Sequence, residues 1–238
     1  MRRKMRKPTA SLASALVVAL ALATAPAVHA KSAAFRATVQ LEETVQATVT
    51  DPDACFVRTT SSQTVRLHTA RAQRIGAYLV DRGSSRGLVE LFPSGSGYAL
   101  VRGTGTIERQ TAGEPPSQCA TGPQADPPDC GRRSASTWAI RVEPYHARRS
   151  GRHRFLGLSL VWDWFGRGFD PYSNCEPPPL PSKPIFHSGK LSARTLFGRR
   201  RKIVLHIGAT TPYRYRREGI TTEGTHTLTA TLTLRRTP

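Results

Sequence analysis

Apolar and polar residues alternate along two segments near opposite ends of the chain. From Phe35 to Val49 the odd positions are mostly apolar and the even positions are polar, and Glu43 interrupts the pattern. From Thr225 to Leu234 a row of threonines alternates with leucine and alanine. Because successive side chains of a strand point to opposite faces, both segments predict half-buried β-strands. The first is expected to form one long strand, or two strands joined at a bulge near Glu43.

Between these segments, short β-type runs are separated by turns rich in glycine, proline and serine. This spacing predicts an all-β protein, an antiparallel β-sandwich of the immunoglobulin type or a similar one, with at most one short helix. The helix signal lies at 188–198, where Ser188 would cap the helix and Gly198 would end it. The internal strands are expected at residues 55–60, 64–67, 75–80, 88–92, 98–110, 137–145, 154–165, 203–207 and 212–216.

Two segments predict long Pro- and Gly-rich loops rather than strands. Residues 111–136 are rich in proline, glycine, serine and threonine, and are expected to form a surface loop. Residues 170–187 include three consecutive prolines, which favour a stiff, extended connection with polyproline character. Loops of this length in a compact domain are often functional.

The first 30 residues have the pattern of a cleaved secretory signal peptide. Five basic residues precede an apolar run at 12–25, and the small residues Val28 and Ala30 stand before a predicted cut at Lys31. A spanning helix needs about 20 apolar residues, and this run is shorter. We therefore expect export from the cytoplasm, loss of residues 1–30, and a single mature domain over residues 31–238 with no membrane span.

Four cysteines, all in the predicted mature chain, indicate two disulfide bonds. An even number of cysteines in an exported protein is typical of a disulfide framework, and four allow three connectivities. We favour Cys119–Cys130 together with Cys55–Cys175. The first bond would close a short loop with few apolar residues and contribute about 2–3 kcal/mol. The wide spacings and the absence of a CxxC pair argue against a zinc site, and no other metal or cofactor is indicated.

The chain is strongly basic, and the excess lies in its second half. The formal net charge of +19 becomes +14 without the signal peptide. Residues 141–238 hold 18 basic and 6 acidic side chains, whereas residues 31–140 hold 12 and 10. This asymmetry indicates an anionic partner, such as an envelope polymer or another extracellular partner. The alternative is a plain solvated surface, because the ratio of 29 arginines to 6 lysines is also what GC-rich coding would produce.

The basic residues cluster in and beside predicted turns. One cluster lies in a predicted hairpin turn, a second directly precedes a predicted strand, and a third comprises Arg214, Arg216 and Arg217. If the fold brings two clusters together, they would form a patch that pairs with phosphates or carboxylates. The candidate binding residues are Arg148, Arg149, Arg152, Arg154, Arg199, Arg200, Arg201 and Lys202.

One aromatic stretch, residues 160–172, raises the possibility of catalysis. Asp163 and Asp170 lie there among tryptophan, phenylalanine and tyrosine, and two carboxylates in an aromatic cleft would suit glycoside hydrolysis. The same stretch also fits a core strand that buries Trp162 and Trp164 on one face. No GxSxG, HExxH or Gly-rich phosphate motif occurs in the sequence.

The function expected from these observations is a secreted or cell-envelope binding or structural module that is not an enzyme. It would act through a basic surface, without a cofactor and without a specific nucleic-acid partner. An envelope-associated hydrolase that uses Asp163 and Asp170 is the alternative. A third hypothesis is a protein–protein interaction domain, which would carry an exposed apolar patch or an unpaired sheet edge.

Overall fold

The described part of the protein consists of antiparallel strands and a single turn of helix. This computed structural model describes residues 31–51, 58–80, 86–93, 97–114, 131–163, 178–181 and 188–238. Every strand pairing among them is antiparallel and the one helix has four residues, so the predictions of an all-β antiparallel fold and of at most one short helix are confirmed. The elements are β1 (Ser32–Thr50), β2 (Arg58–His68), β3 (Gln73–Val80), β4 (Leu88–Phe92), β5 (Ala99–Glu114), β6 (Gly131–Arg149), β7 (Arg152–Asp163), β8 (Ser188–Lys190), α1 (Ala193–Leu196), β9 (Lys202–Arg217) and β10 (Ile220–Arg236).

The long strand β1 lies at the centre of the sheet. One of its edges pairs with β10 along residues 35–50. Its other edge pairs with β2 along residues 40–50 and with β3 along residues 32–37. The sheet therefore continues to β9 on one side and divides into two branches on the other, β3–β4 and β2–β5–β6–β7–β8.

Thr69 supplies hydrogen bonds to β1 at the point where β1 changes partner from β2 to β3. The backbone N–H of Val39 donates to Thr69 Oγ1 at 3.0 Å, and the N–H of Thr69 donates to the Val39 carbonyl at 3.0 Å. Beside this point, the side-chain amide of Gln73 pairs with the backbone of Arg102 in β5. Its Oε1 accepts from the backbone N–H of Arg102 at 2.8 Å, and its Nε2 donates to the Arg102 carbonyl. The branch therefore leaves these backbone groups paired, as burial requires.

The hydrophobic core lies on the inner face of the sheet, where the alternating segments at the two ends of the sequence meet. In the register of β1 and β10, Leu41 faces Ala230 and Val39 faces Leu232, and all four side chains are buried. Burial of one large aliphatic side chain contributes about 1.5–3 kcal/mol. The largest fully buried side chains include Phe35, Ile75, Leu91, Ile107, Ile140, Leu158, Leu196, Leu232 and Leu234.

Glu43 does not break β1, which is one continuous strand, so the predicted alternative of a bulge is wrong. Glu43 keeps the phase of Leu41 and Val45 and faces inward. There its Oε1 contacts Nε2 of His226 from β10, and the two side chains are only 12% and 6% exposed. The interruption in the sequence pattern is therefore a polar pair inside the sheet, since neither group could be buried without a partner.

The predicted start of the helix at Ser188 is wrong. Residues 188–190 instead form β8 and pair with β7, and Ser192 caps the later helix by accepting the N–H of Thr195 on its Oγ at 3.1 Å. Packing explains the difference. Gly189 lies against Leu205 and Ile207 of β9, so a methyl group in its place would approach Ile207 to 3.0 Å.

Several strands are longer than the sequence predicts. The predicted runs 55–60 and 64–67 contribute to one strand, β2, and the runs 203–207 and 212–216 form one strand, β9. β9 keeps Pro212 because it pairs with β10 alone among the described strands, and an edge strand tolerates a missing N–H. The predicted loop 111–136 is also too long, since β5 extends to Glu114 and β6 begins at Gly131.

The hairpin of β6 and β7 contacts β4 through a histidine side chain. Its two-residue turn consists of Ser150 and Gly151, both with positive φ, as hairpin turns favour. Nε2 of His146 accepts the backbone N–H of Val89 in β4 at 2.9 Å. Burial, and to a lesser extent the neighbouring His153, lowers the pKa of His146. The neutral imidazole required for this contact is therefore favoured by the fold.

Breaking only one side of the Glu43–His226 pair should be more harmful than removing both. Glu43→Leu is expected to lower the free energy of unfolding by about 3 kcal/mol, because the buried imidazole loses the carboxylate that contacts it. Adding His226→Leu is expected to recover most of that loss, since an apolar pair removes both desolvation costs. Urea unfolding measures both variants, and losses that simply add would contradict the coupling.

The contact between His146 and β4 should make the fold sensitive to mild acid. Because the pKa of His146 is lowered by folding, the unfolded chain takes up the proton first. The free energy of unfolding should therefore decrease as the pH falls below about 6.5. His146→Gln can still accept from Val89 but does not titrate, so its denaturant midpoint should change less between about pH 6.5 and 5. An unchanged pH dependence in this variant would assign the effect to other groups.

Candidate functional site

Four basic residues from four adjacent strands form one line across the outer face of the sheet. Arg36 of β1 is opposite Arg74 of β3 on one side and Arg235 of β10 on the other. Arg235 is in turn opposite Lys202 of β9. All four side chains are exposed. Because neighbouring strands lie about 4.8 Å apart, the line spans roughly 14 Å. We call these four residues the cationic row.

The alternation of each strand fixes the outward direction of the cationic row. On the inner face, the residues next to the row are apolar and buried: Phe35, Ile75, Leu234 and Ile203. A shift of one residue in any of these strands would bury a charge and expose a core side chain, so the register is strongly specified. Burial of these apolar neighbours therefore keeps four like charges side by side on the outer face.

Within the described part of the chain, no carboxylate forms an ion pair with the cationic row. Other arginines are compensated: Arg66 pairs with Glu42 at 2.9 Å, and Arg214 pairs with Glu223 at 2.9 Å. Like charges directly opposite each other on neighbouring strands destabilise a sheet. The row therefore has an electrostatic cost that an external anion would relieve.

Arg236 holds the basic segment 199–201 beside the cationic row. Its backbone N–H donates to the Arg201 carbonyl at 2.8 Å, and its Nη2 donates to the Leu196 carbonyl at 2.7 Å. Its guanidinium also lies 5.0 Å from the centre of the Phe35 ring. Arg236 is thus a structural residue, and the predicted cluster Arg199–Lys202 is brought next to Arg36, Arg74 and Arg235. Arg199, Arg200 and Arg201 are all exposed.

The other predicted cluster lies on the β6–β7 hairpin. Arg148, Arg149, Arg152 and Arg154 are exposed around its turn. The backbone N–H of His153 in this hairpin donates to the carbonyl of Arg86 at 3.0 Å. Because the strands are antiparallel, the turn lies at the end of the sheet where β1 and β9 begin.

The third basic group is separated from these clusters along β9. Arg214, Arg216 and Arg217 lie near the β9–β10 turn, at the opposite end of the strand from Lys202. Arg214 pairs with Glu223, and Arg217 contacts Glu218 at 3.4 Å. This end of the sheet is therefore partly neutralised, and the uncompensated charge lies at the other end.

Sequence reasoning missed Arg36 and Arg74 because each is an isolated basic residue, and Arg235 because only one further arginine, Arg236, stands beside it. The available signal was that each occupies a polar position in an alternating strand. The pattern does not give the order of the strands, and it is this order that places the three side chains in one row. A run such as 199–202 is visible in the sequence, whereas a row across strands is not.

The inner face also carries buried polar groups that the sequence did not single out. His226, Val45, Gln63 and Arg109 follow one another across β10, β1, β2 and β5. Nε of Arg109 donates to Gln63 Oε1 at 2.7 Å, and both side chains are about 5–6% exposed. The Glu43–His226 contact and the Arg109–Gln63 hydrogen bond thus give each of these buried side chains a polar partner, which suits a structural role.

Tyr213 of β9 forms a hydrogen bond with the proline-rich segment. Tyr213 Oη donates to the Pro179 carbonyl at 2.9 Å, and Pro178 is buried. Burial, with a smaller contribution from Tyr215, raises the pKa of Tyr213 to about 12. The hydroxyl therefore remains a donor throughout the physiological pH range.

Several predicted residues lie outside the described part of the chain. These are the signal peptide, the four cysteines with their predicted pairing, and Asp170 and Trp164. The backbone of Asp163 ends β7, while its side chain is not described; Trp162 is partly buried and packs against the core. The disulfide and hydrolase hypotheses therefore remain predictions. In the described ranges, no group of three or more His, Cys, Asp or Glu side chains could hold a metal ion.

Comparisons with protein-family models, with curated proteins and with solved structures gave no match for this chain. Among the residues that the structure describes, no helix has the length and apolar character needed to cross a membrane. Function is therefore inferred from the charges and geometry of the chain itself.

Repulsion within the cationic row should be measurable as a salt-dependent cost. At about 0.01 M salt, where charges interact over roughly 30 Å, Arg235→Gln is expected to raise the urea midpoint of unfolding. At about 1 M salt, where this distance falls to roughly 3 Å, the difference should disappear. Arg214→Gln is the matched control, because it removes the same charge but breaks the pair with Glu223. An equal gain in both variants would point to net charge rather than to the row.

Proposed function

We propose that the chain is an exported, non-catalytic binding or structural module that holds an anionic polymer of the cell envelope or extracellular space. The observation that carries this proposal is the cationic row, Arg36, Arg74, Arg235 and Lys202, with segment 199–201 beside it. Seven exposed basic side chains thus lie in the row and in the segment next to it. Charge concentrated in this way attracts a polyanion, whereas charge spread over a surface is screened.

The chemistry of the side chains supports a phosphate- or carboxylate-bearing partner. Six of the seven residues are arginines, whose planar guanidinium groups donate paired hydrogen bonds to either anion. The spacing across strands suits an extended polymer better than a single small ion. Such a polymer would lie across β3, β1, β10 and β9 and exchange its counterions for the fixed cations.

Export and a sandwich architecture belong to the same proposal. β1 begins at Ser32, directly after the predicted cut before Lys31, so removal of residues 1–30 would leave the strand intact. A sheet folded over its own core into two layers is supported by the contact of Gly189 in β8 with Leu205 and Ile207 in β9. Disulfide bonds Cys119–Cys130 and Cys55–Cys175 would suit an oxidising extracellular environment.

Retention on immobilised polyanions tests the proposal. The mature chain is applied to phosphocellulose and to immobilised poly-L-glutamate, and the salt concentration needed for elution is measured. Replacing Arg199, Arg200, Arg201 and Lys202 with glutamine should lower that concentration by about half, since four of seven contributing charges are lost. A stronger effect on phosphocellulose would favour a phosphate polymer, and a stronger effect on polyglutamate a carboxylate polymer.

A charge-matched control separates a site from overall charge. Replacing Arg148, Arg149, Arg152 and Arg154 with glutamine also removes four positive charges, but from the β6–β7 hairpin. Its elution should shift much less than that of the 199–202 variant. Equal shifts would show that net charge alone governs retention, and unchanged retention in both variants would remove the proposed surface.

A further inference from the structure

A depression of about 430 Å³ lies at one end of the cationic row, and we propose that it binds the phosphate group of a small organic phosphate. The residues that line it are Arg36, Ala72, Arg74, Thr237 and Pro238. The inference rests on the proposed function, because Arg36 and Arg74 belong to the row, and it adds a specific ligand class. The two arginines face each other across β1 and β3.

The walls of the depression are held by backbone hydrogen bonds. The N–H of Thr237 donates to the Ala34 carbonyl at 3.0 Å, which fixes the residues after β10 against β1. On the other side, Ala72 directly precedes β3, whose first residue Gln73 is tied to β5 through the backbone of Arg102. The depression is therefore a built feature between two anchored segments rather than a gap between loose side chains.

The donors around the depression suit a phosphate better than a carboxylate. Neither Arg36 nor Arg74 has an ion-pair partner in the described ranges, so both guanidinium groups can donate to a ligand. Thr237 Oγ1 is buried and has no hydrogen-bond partner within the described part of the chain. This hydroxyl does not face the open depression, and the proposal includes a rotation about its χ1 that turns it toward the bound phosphate. Two guanidinium groups and one hydroxyl match the three terminal oxygens of a phosphate monoester and its charge of about −1.5 to −2, whereas a carboxylate has two oxygens and a single charge.

The size of the depression indicates that the phosphate belongs to a larger organic molecule. Sites for small organic ligands occupy about 300–1,000 Å³, and one water molecule takes about 30 Å³, so the space exceeds that needed for a bare ion. Ala72 provides apolar wall next to the arginines. A polyol or sugar phosphate, free or as a unit of a polymer, has the matching combination of an anionic group and an uncharged body.

Glycerol 3-phosphate is a direct probe. Titration calorimetry on the mature chain should show saturable binding of one molecule, while glycerol and acetate at the same ionic strength should show none. Arg74→Gln should weaken binding about tenfold through loss of charge-assisted hydrogen bonds. Thr237→Val, which keeps the shape of the side chain but removes the hydroxyl, should weaken it about fivefold. Both positions lie outside the core, and circular dichroism verifies folding.

Lys202→Gln is the control within the same row. Lys202 does not line the depression, so its loss should change the affinity for glycerol 3-phosphate by less than about twofold. Equal effects of Lys202→Gln and Arg74→Gln, or a heat signal that does not saturate, would overturn the phosphate site. Retention that is unaffected in the 199–202 variant, together with specific glycerol 3-phosphate binding, would instead remove the polymer function and leave the site standing.

Discussion

The hydrogen bonding of β1 on both edges is the constraint on which the rest of the structure depends. One edge is occupied by β10 and the other is shared by β2 and β3. Sharing an edge leaves a point where neither partner continues. Thr69 supplies the missing bonds of β1 there, and the side chain of Gln73 pairs with the backbone of Arg102 in β5. This branch places β3, β1, β10 and β9 side by side at one level. The cationic row exists only because those four strands are neighbours.

Within the described ranges, charged side chains have partners on the inner face of the sheet, and those of the cationic row lie unpaired on its outer face. On the inner face, Glu43 contacts His226 and Arg109 donates to Gln63, because a buried charged or polar group without a hydrogen-bond partner is destabilising. On the outer face, water solvates the arginines, so the fold tolerates a row of like charges at a modest cost. Uncompensated charge therefore persists only where water solvates it. The same alternation that builds the core thus also places the cationic row on the solvent-exposed face.

Local patterns predicted the elements better than their arrangement. Period-two alternation identified β1 and β10, and the bounds of β4 agree with the prediction. Two outcomes depended on tertiary contacts: residues 188–190 became strand because Gly189 fits against β9, and Pro212 stayed within a strand because β9 lies at an edge of the described sheet. The candidate site was predicted only where its charges are consecutive, at 199–202. Arg36, Arg74 and Arg235 needed the order of the strands, which no local pattern contains.

The pairing of β1 with β10 also determines when the fold can be completed. β1 is the first described strand to leave a ribosome or a translocation channel, and β10 is the last. Until the C-terminal strand emerges, one whole edge of β1 has no partner, and such non-local pairing makes β proteins slow to fold. The central strand therefore remains unpaired along that edge until synthesis is nearly complete. Late completion of the sheet is thus a consequence of its topology, because the two ends of the described sequence form neighbouring strands.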